Sequence, residues 1–70
     1  MADALMAFEK VRKYRALRGQ TQEWCAEEWG CSTRSWQRYE SVGANVPEPL
    51  LKHIRKWAKR AVPKLAHYLD

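Results

Sequence analysis

Apolar residues along this chain recur every three or four positions and never every second one. Leu5, Phe8, Val11, Tyr14 or Arg15, and Leu17 share one helical face, so the spacing predicts an amphipathic helix over roughly 4–18. Asp3 can cap its start, and Gly19 can end it in a left-handed conformation. Thr21 opens a second helix, about 22–29, with Glu23 in the first turn, where the helix dipole favours negative charge. Gly30 closes it. Ser32 caps a third helix, about 33–41, and Gly43, Asn45 and Pro47 mark a loop. Pro49 suits the first turn of a fourth helix, where its missing N–H is not needed. The apolar face expected there is Leu51, Ile54, Trp57 or Ala58, and Ala61. Pro63 starts or kinks a last short helical turn carrying Leu65, Tyr68 and Leu69. The expected fold is all-α, a compact single domain over 1–70 with four to five helices.

The middle of the chain, TQEWCAEEWGCSTRSWQRYE, holds two helices too short to bury much alone. Two helices joined by a three- to four-residue turn containing glycine are the helix-turn-helix signature. Its steric demands are met position by position. Ala26 is small where the helices approach, and Gly30 tolerates a positive φ in the turn. Cys25, Trp29, Cys31, Trp36 and Tyr39 supply the inner face. Large tryptophans and small cysteines offset one another there, because a core packs to a fixed density.

Seventy residues allow one domain with a small core. No apolar run approaches the roughly 20 residues that span a bilayer. The N-terminal stretch lacks the pattern of a signal peptide, so a cytoplasmic location is expected. Cys25 and Cys31 fit a reducing compartment, and their offset matches no common zinc spacing. They read as small buried hydrophobes. No paired carboxylates, Cys–His arrangement or phosphate-binding glycine loop is evident. The expectation is therefore no enzyme, no metal and no cofactor. The net charge is +5, unevenly spread. Lys52, Arg55, Lys56, Lys59, Arg60 and Lys64 occur in a stretch without acids, whereas Glu23, Glu27, Glu28 and Glu40 sit in the middle. A basic balance favours a polyanionic partner.

The motif residues give this more shape. The chain carries Val11-Arg12, Tyr14-Arg15, Gly19, Thr21-Gln22, Cys25-Ala26, Gly30-Cys31-Ser32, Trp36 and Tyr39-Glu40. In this order and spacing they resemble the Cro/C1-type helix-turn-helix family of phage and bacterial repressors. The resemblance covers about residues 11–57, and VPEPLLKHI is similar to the loop and fourth helix of such proteins. The chain departs from the family at Gln20, Cys25 and Cys31, where aliphatics are preferred. It also departs in the 41–46 loop, which lacks the common basic residues.

The resemblance implies a lambda-repressor-like fold with the third helix in the major groove of duplex DNA. Thr33, Arg34, Ser35, Gln37 and Arg38 would then face base edges. Arginine pairs bidentately with guanine, and glutamine with adenine. Gln22 would contact a backbone phosphate and brace the third helix, with Gly43 and Asn45 as further phosphate contacts. Arg15 and Glu40 occupy positions that form a structural ion pair. Trp57, Leu65, Tyr68 and Leu69 either close the monomer core or form a homodimer face. Trp24 either packs on the first helix or is exposed to DNA backbone or a protein partner. The implied role is a transcription regulator, a repressor that binds an inverted-repeat operator as a homodimer. Its setting would be a phage- or plasmid-like gene, in the cytoplasm of a prokaryotic host and associated with the nucleoid. The alternative is an antitoxin-like module that masks a partner protein. Membrane-surface binding through 52–69 is not expected, because the apolar face there is needed for the core.

Overall fold

Local capping chemistry sets the boundaries of the helices. A computed structural model describes residues 5–69, apart from the side chain of Tyr68. Its order is α1 (Ala7–Arg18), α2 (Gln22–Trp29), α3 (Thr33–Tyr39), α4 (Glu48–Ala61) and a 3-10 helix, Pro63–Tyr68. The fold is a small all-α globule, with no strand among the described residues.

α1 starts later than the apolar spacing suggested. Met6 is its N-cap, and the Glu9 carboxylate accepts a hydrogen bond from the Met6 N–H at 2.8 Å. The expected cap, Asp3, lies outside the described residues. The Thr21 hydroxyl accepts from the Trp24 N–H at 3.0 Å, and the Ser32 hydroxyl from the Ser35 N–H at 3.1 Å. Each oxygen satisfies a backbone donor that the first helical turn leaves open. α2 keeps the expected span. α3 ends at Tyr39, earlier than expected, because Glu40 leaves the helix to become its C-cap.

Between α2 and α3 stand only Gly30, Cys31 and Ser32. Gly30 has φ 88°, and both its N–H and that of Cys31 donate to the Ala26 carbonyl. A left-handed backbone costs an L-residue roughly 1–2 kcal/mol. Gly30→Ala is accordingly expected to lower stability by about that amount, read as a lower melting temperature in thermal denaturation. An unchanged melting temperature would mean the turn relaxes without loss.

The core is a single cluster in which Val11 and Tyr14 of α1, Cys25 and Ala26 of α2, and Trp36 of α3 meet α4. α4 presents Leu50, Ile54 and Ala58, spaced four apart, all fully buried. This corrects the face read from spacing: Leu51 and Trp57 are half-buried and Ala61 is exposed. Leu69 is 1% exposed within the single chain, so it closes the core and offers no dimer face. Leu65 is half-buried, and the Tyr68 side chain lies outside the described residues. No described helix is long and apolar enough to cross a membrane.

Candidate nucleic-acid interface

One carboxylate holds the short helices together. Glu40 is only 5% exposed. Its side chain accepts from Arg15 Nε at 2.7 Å, Trp36 Nε1 at 2.7 Å and Gln22 Nε2 at 3.0 Å. Its backbone carbonyl accepts from Arg12 Nε at 2.7 Å. The expected pair of Arg15 and Glu40 is therefore present, as one edge of a larger network that joins α1, α2 and α3. Burial opposes ionisation of Glu40, but hydrogen bonds from Arg15, Gln22 and Trp36 outweigh it and hold the carboxyl below its usual range. The same bond to Glu40, against some desolvation, pushes the Arg15 guanidinium up.

Arg15 is a brace: its guanidinium donates to the Glu40 carboxylate and to the Gln20 carbonyl. Its side chain is 32% exposed, so solvent carries part of its charge. Arg15→Ala is expected to lower the melting temperature and to leave the exposed side of α3 unchanged in the molecules that remain folded. Calorimetry reads the melting temperature, and an unchanged value would contradict the bracing role.

With Trp36 fully buried, the opposite side of α3 faces outward. Arg34 and Arg38 lie two residues to either side of Trp36, four apart, and both are exposed. Gln37 is exposed as well, and its Nε2 donates to Gln22 Oε1 at 3.3 Å. Gln22 thus links α3 at Gln37 and at Glu40. Gln37 retains an acceptor and a donor proton beyond this bond. Ser35 is more committed, because its hydroxyl oxygen accepts from the Ser32 hydroxyl at 3.1 Å. Thr33 is half-buried at the start of the helix.

The loop after α3 extends this surface. The Ala44 N–H donates to the Ser41 carbonyl, and Gly43 sits third in that turn with φ 77°. A positive φ there is the requirement of a type II turn. Arg38, Ser41 and Asn45 line a groove of about 390 Å³ with Tyr39 and Ala44. Gly43 and Asn45 are exposed. The structure thus joins Gln22 to Gln37 and sets Arg38 beside Ala44 and Asn45, while Arg34 shares the exposed side of α3 with Arg38.

Trp24 is half-buried, and the Arg18 guanidinium lies 4.9 Å from its ring centroid. It packs on the end of α1, the first of the two options the sequence left open. Sequence reasoning missed Arg18 and His53. Arg18 Nη1 donates to the Tyr14 hydroxyl at 3.1 Å, and Tyr14 lies 3.4 Å from His53 Nε2. Only the Tyr14–Arg18 spacing of four signalled any of this. Burial pushes the thiols of Cys25 and Cys31 up. Compared with protein-family models, curated proteins and solved structures, the chain matches none.

Proposed function

We propose that this chain binds duplex DNA sequence-specifically, with α3 in the major groove, and regulates transcription as a repressor. The observation that carries this is the two-sidedness of α3. Its inner side is locked by Trp36 and the Glu40 network, while Arg34 and Arg38 project from its outer side. A helix this short gains little from its own backbone. Bracing it from α1 and α2 gives a rigid mount, which suits a surface that must meet base edges in register.

Arg34 and Arg38 are the expected guanine readers, each good bidentate pair contributing roughly 1–3 kcal/mol of discrimination. Gln37, oriented by Gln22, is the expected adenine reader. Thr33 and Ser35 contribute phosphate or thymine-methyl contacts. Gln22, Gly43 and Asn45 contact the sugar-phosphate backbone, which sets register without reading sequence. The sequence resemblance to Cro/C1-type repressors supports the same assignment and adds the homodimer on an inverted repeat. A cytoplasmic, nucleoid-associated location goes with this role.

Amide chemical-shift mapping with a mixed-sequence duplex tests the assignment of the face. Shifts are expected in 33–38, at Gln22 and in 43–45. Shifts confined to the outer side of α4 would overturn it.

A further inference from the structure

Three of the four tryptophans remain half-buried, and only Trp36 is fully enclosed. These three are clustered. Arg18 lies against Trp24 and Trp57 at 4.9 and 5.6 Å. His53 lies 5.4 Å from Trp29 and 5.9 Å from Tyr14, which packs edge-on to Trp57 at 5.2 Å. The result is a half-exposed aromatic seam that runs from α2 through Arg18 and Tyr14 of α1 to His53 and Trp57 of α4.

The two sides of this seam carry opposite charge. On α2, Glu23, Glu27 and Glu28 are exposed, and none is in an ion pair with another described residue. Glu28 follows Trp24 by four and so shares its side of the helix. On α4, Lys52, Lys56, Lys59 and Arg60 are exposed. Lys56 and Arg60 flank Trp57 and His53 around a concavity of about 300 Å³.

We propose that this seam is the surface on which two copies of the chain pair, related by a two-fold axis. A two-fold interface sets one patch against itself, so residue i meets j while j meets i. A patch with an acidic half beside a basic half is complementary to itself under that operation. The α2 carboxylates of one copy meet Lys56 and Arg60 of the other, twice over. The half-buried tryptophans lie between, where interfaces concentrate their binding energy. The assignment keeps Trp57 from the expected dimer face, drops Leu69, already enclosed in its own core, and adds Trp24 and Trp29. It concerns the chain without DNA and stands or falls separately from base reading by α3.

A charge exchange tests it. One variant carries Lys56→Glu and Arg60→Glu, the other Glu27→Lys and Glu28→Lys. All four positions are exposed, and thermal melts confirm that each variant folds. Sedimentation equilibrium without DNA is expected to show a dimer for the unaltered chain, weakening as salt rises. Each variant alone is expected to dissociate at least about tenfold more readily, because like charges then oppose one another. Mixed in equal amounts, the two variants are expected to restore the dimer, since one contact then joins the exchanged charges and the other the unaltered ones, both opposite in sign. A monomeric unaltered chain would overturn the proposal. So would variants that dimerise unchanged, which would move the interface to the Leu65 segment. Failure of the mixture to recover would overturn it as well.

Discussion

Glu40→Ala is expected to remove the cooperative thermal transition of this domain near room temperature. The substitution leaves the Trp36 indole N–H buried without an acceptor and the Arg15 guanidinium without its carboxylate. Removing one partner of a buried pair costs about 3–5 kcal/mol. Arg15 keeps about a third of its side chain in solvent, 32%, so the lower end applies to that contact. The stranded indole adds roughly 1–3 kcal/mol. A core of this size supplies only about 3–5 kcal/mol in total. The loss therefore rivals the whole stability, and circular dichroism melts would record it. A melting temperature within a few degrees of the unaltered protein would show that the network is dispensable.

The same carboxylate sets the acid limit of the fold. Glu40 titrates lower in the folded chain than in the unfolded one. Its contribution is therefore complete above the ordinary glutamate range and is lost as pH falls through the lowered folded value. Glu40→Gln, which keeps the shape and removes the charge, is expected to flatten the fall of melting temperature across that acid window. It also lowers stability at neutral pH. An unchanged acid profile in this variant would assign the acid sensitivity to other groups.

Trp36→Ala is the second large effect. Trp36 is the largest fully buried side chain and the only buried residue of α3. Large-to-small changes at buried aromatics cost about 3–5 kcal/mol. Here the change also frees a Glu40 oxygen from its donor. The expected result is an unfolded or barely folded chain, read by loss of amide dispersion. Trp36→Phe separates the two contributions: it keeps most of the packing and loses only the Nε1 bond. It is expected to fold with a melting temperature between those of the other two. If Trp36→Phe equals Trp36→Ala, the hydrogen bond outweighs the packed volume.

The caps were readable in the sequence because capping is local. Thr21, Gly30 and Ser32 act on residues within a turn of themselves, and α2 has its expected span. The start of α1 was not readable from apolar spacing, which continues upstream through Leu5 while the cap falls at Met6. α4 misled for a different reason. Leu50, Leu51, Ile54, Trp57, Ala58 and Ala61 form a stripe too wide to show which edge is inside. Only packing into the common core chose Leu50, Ile54 and Ala58. The end of α3 was likewise decided by tertiary contacts, as Glu40 leaves the helix while bonded to three partners. Arg15 with Glu40 was legible through the family resemblance, whereas the Gln22–Gln37 bond and the Tyr14–His53 contact join residues far apart in sequence. The exposed arginines of α3 followed from spacing once Trp36 was taken as the inner position.

The central claim is that α3 reads base sequence. Selection of bound duplexes from a random pool tests it most directly, with the unaltered chain and Arg34→Ala run in parallel. The account predicts an enriched inverted repeat with a guanine position that relaxes in Arg34→Ala. That variant should lose roughly 1–3 kcal/mol of discrimination at that position and keep its other preferences. No enriched motif, or one unchanged by Arg34→Ala, would contradict the account.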